Sequence, residues 1–147
     1  MRVFGHMTRD IISIKPSTSI KKAYEIMQEE KLRHLVIVEH SKLLGIISDR
    51  DIYREGNMQF GKFHCSDRPV KEFMSTDIIT CLPSTTIGEA SRLLIDNKID
   101  CLPVTQFSKL VGLITSTDLL EILCTDAPVS LHAPIPISYN LRAYATN

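Results

Sequence analysis

Met7-Thr8-Arg9-Asp10-Ile11-Ile12 returns as Met74-Ser75-Thr76-Asp77-Ile78-Ile79, and the reading of the whole fold turns on that recurrence. Outward from it, Pro16-Ser17-Thr18-Ser19-Ile20 returns as Pro83-Ser84-Thr85-Thr86-Ile87. Ser41-Lys42-Leu43-Leu44-Gly45-Ile46-Ile47-Ser48 returns as Ser108-Lys109-Leu110-Val111-Gly112-Leu113-Ile114-Thr115. The offset is 67 throughout; residues 7–54 align with 74–121 without a gap, and 17 of the 48 positions are identical. Ten of the 31 mismatches exchange Ile, Leu and Val, or Ser and Thr. A unit of about 50 residues is small for independent stability, so the copies are expected to bury their apolar faces on each other. Two copies do not make a solenoid. They suggest a pseudo-twofold pair whose cleft has two related pockets.

Each copy reads as strand, helix, strand, strand, helix. The runs Ile11 to Ile14 and Ile78 to Leu82 end at Pro16 and Pro83, where the missing N–H ends a strand naturally. Ile20, Ala23, Ile26 and Met27 have helical spacing, and Ile87, Ala90, Leu93 and Leu94 repeat it. Thr86 followed by Glu89 fits a capping box, in which hydroxyl and carboxylate each take an orphan N–H. Residues 35–38 and 102–105 read as strands, with hairpin partners at 43–47 and 110–114 across polar turns at His40-Ser41-Lys42 and Phe107-Ser108-Lys109. Short helices follow at about 49–54 and 117–124. The link from Glu55 to Val70 shows no sustained period and is expected to be a loop with at most one helical turn. The fold class is α/β (α+β by some schemes): two tandem β-α-β-β-α units packed through their sheets. Residues 1–66 form the first repeat with its connecting loop, 67–124 the second, and 125–147 a C-terminal extension. That extension is apolar enough to pack on the body or on a partner subunit, with a disordered tail as the equal alternative. Residues 1–6 read as native chain or, in part, as residues added for expression.

Lys plus Arg equals Asp plus Glu at 17 each, and this neutrality argues against a generic nucleic-acid binder, which carries a basic excess. No apolar run reaches the roughly 18 residues of a membrane span, and no basic start leads into an apolar stretch as in a signal peptide. The expected setting is the cytoplasm, with the four cysteines (65, 81, 101 and 124) reduced. No Cys-x-x-Cys pair supports a metal site, and small buried core residues are the plainer reading of these thiols.

Two segments carry chemistry: Gly45-Ile46-Ile47-Ser48-Asp49-Arg50-Asp51 and Gly112-Leu113-Ile114-Thr115-Ser116-Thr117-Asp118. The aliphatic pair finishes a strand, the hydroxyl residue sits at its carboxyl end, and the Asp falls in the first turn of the next helix. A helix start offers unpaired N–H groups and partial positive charge to an anion. An ionised Asp only accepts, and can take both hydroxyls of a ribose. The combination suits a nucleotide better than a bare anion. The competing reading is plain helix capping by Ser48, Ser116 or Asp118.

In these segments, in Met-(Thr/Ser)-x-Asp-Ile-Ile, in Arg33-His34-Leu35-Val36-Ile37-Val38 and in Asp100-Cys101-Leu102-Pro103-Val104, the chain resembles a stand-alone tandem CBS-domain pair (a Bateman module) over roughly residues 7–124. The resemblance implies a ligand cleft on each side of the pair, a flat homodimer, and adenosine-derived ligands: AMP, ADP or ATP (with Mg for ATP), or S-adenosylmethionine or a dinucleotide. It implies one pocket from Leu113, Thr115, Thr117 and Asp118 with Ser13, Ile14, Arg33, His34 and Leu35. There Asp118 would hold ribose, Thr115 and Thr117 would face phosphate, Arg33 and His34 would add charge or donors, and the backbone near Ile14 and Leu35 would read adenine. The second pocket would use Ile46, Ser48, Arg50 and Asp51 with Thr80, Cys81, Asp100, Cys101, Leu102 and Pro103. Asp100 and Cys101 stand where the first pocket has Arg33 and His34, and a carboxylate near phosphate costs energy. The Asp118 pocket is therefore expected to take the phosphorylated ligand. Val36 stands where the family often has proline.

No Gly-x-Ser-x-Gly elbow, His-Glu-x-x-His or Walker loop appears, so no catalysis and no required cofactor are expected. The function implied is a regulatory adenine-nucleotide sensor that acts on a separate, unknown protein. The alternative is a structural or dimerisation module with vestigial clefts; an enzyme acting on a nucleotide phosphate is a third reading.

Overall fold

The computed structural model describes residues 1–126, so the expectation for the C-terminal extension lies almost wholly outside the described residues. The first half runs β1 (Ser13–Ile14), α1 (Ile20–Glu30), β2 (His34–Glu39), β3 (Lys42–Ser48) and α2 (Asp49–Glu55). A small hairpin, β4 (Asn57–Gln59) and β5 (Lys62–His64), follows. The second half supplies α3 (Ile87–Asn97), β6 (Cys101–Gln106), β7 (Lys109–Thr115) and α4 (Ser116–Asp126).

The duplicated pattern is reproduced in every element but the first strand. β1 pairs parallel with β2, and β2 antiparallel with β3. In the second half β6 and β7 pair in the equivalent register, while the counterpart of β1 shrinks to one parallel bridge from Cys81 to Val104. The first strands are thus shorter than the runs Ile11–Ile14 and Ile78–Leu82 suggested: Ile11, Ile12, Ile78 and Ile79 precede the paired residues. Both main hairpins turn on two residues with positive φ, His40-Ser41 and Phe107-Ser108. Such two-residue turns match the twist of the strands they join.

α1 and α3 place their stripes as expected. Ile20, Ala23 and Met27 are buried on α1, and Ala90 and Leu94 on α3. Ser19 caps α1, and Thr86 with Glu89 closes the expected capping box on α3. Each helix ends on a left-handed lysine, Lys31 or Lys98, a conformation that a residue with a Cβ adopts at some cost. Two apolar clusters result, one under each hairpin: Leu35, Ile37, Ile47 and Ile52 with α1, and Leu102, Val104 and Ile114 with α3. On the opposite faces of the central strands, Val36, Cys101 and Pro103 are also buried. Strands buried on both faces are what two sheets pressed together require.

The leading segments are exchanged between the halves. Val3, in a 3-10 turn over Val3–Gly5, is fully buried in the second half's cluster, and its N–H donates to the Thr85 carbonyl at 2.9 Å. Val70, 67 residues later in the turn Val70–Glu72, is buried in the first half's cluster and donates to the Thr18 carbonyl at 2.7 Å. Thr8 then bridges Leu113 on β7, and Ser75 bridges Ile46 on β3. Both bridges need a glycine beside them. A Cβ on Gly112 would come within 2.5 Å of the Met7 sulfur, and one on Gly45 within 2.5 Å of the Met74 sulfur. Met7 and Met74 are thus packing residues, whereas Met58 is exposed.

The link after α2 departs from the loop expected there, because it forms the hairpin β4–β5. Three-residue strands leave no readable period, and the turn places Phe60 and Gly61 at positive φ rather than an Asn-Gly or Asp-Gly pair. Phe63 anchors the hairpin by packing against Tyr24 and Tyr53, with ring centroids 5.0 and 5.1 Å away. Among the thiols, Cys81 and Cys101 are buried as expected. Cys65 is half-buried and Cys124 is exposed, so those two are not core residues.

Candidate functional site

The crossed leading segments create two hollows between the halves, related by the same 67-residue offset. One is lined by Thr8, Asp10, Ile11, Ile12, Lys31, Leu32, Arg33 and His34, facing Leu113, Thr115, Ser116, Thr117 and Asp118, with Asp100 and Cys101 at its inner wall. The other is lined by Ser75, Asp77, Ile78, Ile79, Lys98, Ile99, Asp100 and Cys101, facing Ile46, Ser48, Asp49, Arg50, Asp51 and Arg54, with His34 at its inner wall. The Asp118 cleft encloses about 430 Å³ and the Asp51 cleft about 230 Å³. Small-molecule pockets run from roughly 300 Å³ upward, so the Asp118 cleft is the roomier candidate.

Strand and helix position each acid. β7 delivers Thr115 as the last strand residue, and α4 starts at once, so Asp118 falls in its first turn. The Thr115 N–H and hydroxyl both donate to Asp118 Oδ2, at 2.7 and 2.8 Å, and the Asp118 N–H donates back to Thr115 Oγ1 at 3.3 Å. Ser48 and Asp51 repeat the arrangement on α2, with both donations to Oδ2 at 2.8 Å. The capping reading is therefore realised at both acids, through one oxygen each. In both residues Oδ1 accepts no hydrogen bond within the described chain, while the residue lines a cleft. Capping fixes the carboxylate and leaves its second oxygen available to hydroxyl donors.

The clefts share a chemical plan. Aliphatic walls come from Ile11, Ile12, Leu32 and Leu113 in one, and from Ile78, Ile79, Ile99 and Ile46 in the other. Such walls suit the two faces of a flat base. Cations stand at the rims, Lys31 and Arg33 in one and Lys98, Arg50 and Arg54 in the other. Two of the arginines are already paired. Arg33 Nε donates to Asp49 Oδ2 at 3.3 Å, and Arg50 Nη1 lies 3.4 Å from Asp100 Oδ2. Burial, opposed by the Asp49 and Asp100 carboxylates, holds His34 below the usual imidazole range. It enters the cleft wall as a neutral donor and acceptor near pH 7. Burial pushes the Cys101 thiol up to about 12 and Cys81 up to about 11, so both stay protonated at neutral pH.

Of the residues singled out in sequence for the first pocket, the structure brings together Leu113, Thr115, Thr117 and Asp118 with Arg33 and His34. Ser13, Ile14 and Leu35 lie outside the lining. Leu35 is fully buried under the sheet, and Ile14 is committed to pairing with Ile37. For the second pocket, Ile46, Ser48, Arg50, Asp51, Asp100 and Cys101 meet. Cys81, Leu102 and Pro103 are buried in the second half and Thr80 is exposed, all outside the lining. In both clefts the wall comes from the residues just before the first strand, Asp10-Ile11-Ile12 and Asp77-Ile78-Ile79, and from the ends of α1 and α3. The repeat carried a signal for them: Asp10/Asp77, Ile11/Ile78, Ile12/Ile79 and Lys31/Lys98 are identical pairs, and none is a fully buried core position.

The family model for the CBS domain matches residues 3–57 and again 70–125. The CBS domain-containing protein YhcV of Bacillus subtilis is 30% identical over 113 residues, covering 77% of this chain and 79% of that protein. Inosine-5'-monophosphate dehydrogenase of Korarchaeum cryptofilum is 33% identical over 118 residues, 80% of this chain; the chain spans only 23% of that enzyme's length. Among solved structures, CBSX2 in complex with AMP superposes with a TM-score of 0.69 at 26% identity, covering 84% of this chain and 96% of that one. The CBS domain pair of MJ0100 in complex with 5'-methylthioadenosine and S-adenosyl-L-methionine superposes with a TM-score of 0.73 at 25% identity, covering 84% and 99%.

Proposed function

The chain belongs to the CBS-domain family, and on that premise we propose that it is a regulatory module that binds an adenine nucleotide of the AMP, ADP or ATP type in the cleft between its halves. The carrying observation is the pair of Asp118 and Asp51. Each is held by its own cap through Oδ2, lines a hollow with Oδ1 uncommitted, and faces aliphatic walls and rim cations. Ribose hydroxyls would donate to Asp118 Oδ1. The base would lie between Ile11, Ile12 and Leu113. Phosphate would meet the hydroxyls of Thr115 and Thr117, the first turn of α4, Lys31 and Arg33. The larger volume favours the Asp118 cleft for the phosphorylated ligand, and Arg33 and Lys31 supply its charge.

The ligands held by two related pairs, AMP in CBSX2 and S-adenosylmethionine with 5'-methylthioadenosine in MJ0100, share adenosine. That shared part is what Asp118 and the aliphatic walls fit. A ligand regulates only if it binds one arrangement of the protein better than another, so the response would pass to a separate protein in the cytoplasm through a change in how the halves or subunits sit. Catalysis has no part in this reading.

A second reading, an interaction module that dimerises and whose clefts are vestigial, is favoured by Leu120 and Leu123. They leave α4 with two large apolar side chains 61% and 65% exposed. Thermal unfolding with adenosine, AMP, ADP, ATP and S-adenosylmethionine separates the two. A ligand at about a hundredfold over its Kd stabilises the fold by about 2.7 kcal/mol. A raised midpoint with at least one adenosine ligand supports the sensor; a flat response to all five, with a dimer in sedimentation, supports the interaction module.

A further inference from the structure

The two clefts share a wall, and the ion pairs across it are crossed. His34, Asp100 and Cys101 line both hollows. Arg33, at the rim of the Asp118 cleft, is held by Asp49, which lines the Asp51 cleft. Arg50, at the rim of the Asp51 cleft, is held by Asp100, which faces the Asp118 cleft as well as its own. Arg33 and Arg50 are thus each neutralised by a carboxylate that the other cleft sees.

We infer that the clefts are coupled negatively for anionic ligands and not for neutral ones. This rests on the adenine-nucleotide reading above. A phosphate in the Asp118 cleft competes with Asp49 for the Arg33 guanidinium. When the guanidinium turns to the phosphate, Asp49 loses its counter-ion and stands as an uncompensated negative charge in the Asp51 cleft. In the other direction, a phosphate in the Asp51 cleft draws Arg50 from Asp100, and the bared Asp100 carboxylate faces the Asp118 cleft. Both routes have the same sign, as thermodynamic reciprocity demands of one coupling. An adenosine without phosphate leaves both arginines where they are, so its two binding events are independent.

The arginine side chains are 55% and 65% exposed, so the pairs are weak and water-screened. The coupling is correspondingly modest: filling one cleft with AMP weakens AMP in the other by about two- to fivefold at low salt, and less as salt rises.

A nitrogen-15 NMR titration reads the clefts separately, through the Asp118 and Asp51 amides, with AMP and adenosine as probes. With adenosine, both amides follow independent hyperbolas. With AMP, each isotherm is stretched beyond a hyperbola by the two- to fivefold factor. In Asp49→Asn/Asp100→Asn the stretching disappears, and each single substitution reduces it. The Asp49→Asn side chain retains a carbonyl oxygen for the Arg50 N–H, which donates to Asp49 Oδ1 at 2.8 Å. Hyperbolic AMP isotherms in the wild type, binding in one cleft only with both probes, or stretching that survives in the double variant would overturn the coupling while leaving nucleotide binding intact. Shifts with neither probe would overturn the nucleotide reading, and the coupling with it.

Discussion

Asp118→Ala removes two things at once, a helix cap and an uncommitted carboxylate oxygen, and the fold contains a control that separates them. Glu89 makes the same capping box on α3. It accepts from the Thr86 N–H and hydroxyl at 2.9 and 2.8 Å and donates back at 3.2 Å, but it lines neither cleft. Each substitution removes one capping interaction, so Asp118→Ala and Glu89→Ala should both lower the free energy of unfolding in urea, and by similar amounts. Binding should divide them. A hydrogen bond to a charged group contributes about 1.5–3 kcal/mol, so Asp118→Ala should weaken AMP by roughly 10- to 150-fold, and Glu89→Ala by nothing measurable. Asp51→Ala should destabilise like the others, with a smaller effect on AMP because its cleft is about half the volume. Calorimetric titration of the four proteins, each shown folded by its urea transition, supplies both numbers. If Asp118→Ala loses stability as Glu89→Ala does and keeps the wild-type affinity, Asp118 is a cap and nothing more. If Asp51→Ala and Asp118→Ala lose affinity equally, the proposed difference between the clefts is wrong.

Three further outcomes follow from the same geometry. Arg33→Ala should weaken ATP by about fivefold, in line with an exposed charge contact, and leave adenosine unchanged; equal losses in a competition titration would remove its phosphate role. Lys31→Gly should raise stability in urea by about 0.5–1 kcal/mol, the relief of the left-handed conformation less the entropy cost of glycine, yet weaken AMP, while a variant that gains stability and binds as before would show that Lys31 is only a helix terminator. His34 is held below its usual pKa, so the unfolded chain takes up its proton first as pH falls through about 6.5. Stability from this residue is complete above that pH and declines below it, and His34→Gln should flatten the fall in melting midpoint between pH 7.5 and 5.5. Equal slopes for the two proteins would contradict the buried neutral imidazole.

The gap-free repeat made the architecture legible, because a helical stripe and a hairpin that each occur twice at one offset are hard to misread. Pro16 and Pro83 marked the strand ends, and Thr86 with Glu89 gave the cap of α3 by spacing alone. The β4–β5 hairpin was not legible, since Phe60 and Gly61 make its turn without the usual residue pair and Phe63 secures it through aromatic contacts that no local pattern encodes. Nor could spacing reveal the exchange of Val3 and Val70 between halves, which is a long-range event. The site was half legible. Thr115 and Asp118 follow from the end of a strand and the start of a helix. The opposite wall is placed at Ser13, Ile14 and Leu35 by the family resemblance, which draws it from the first and second strands, and no local pattern shows which end of those strands meets the cleft. Pairing begins only at Ser13, which leaves Ile11 and Ile12 to line the hollow.

A nucleotide gripped between the halves must touch two distant stretches of chain together. A crystal structure of the protein grown with AMP shows this directly: the account predicts ribose hydroxyls on Asp118 Oδ1, the base between Ile11, Ile12 and Leu113, and phosphate at Thr115, Thr117 and Lys31. AMP bound on an outer surface, or a hollow beside Asp118 left empty at saturating AMP, would contradict it.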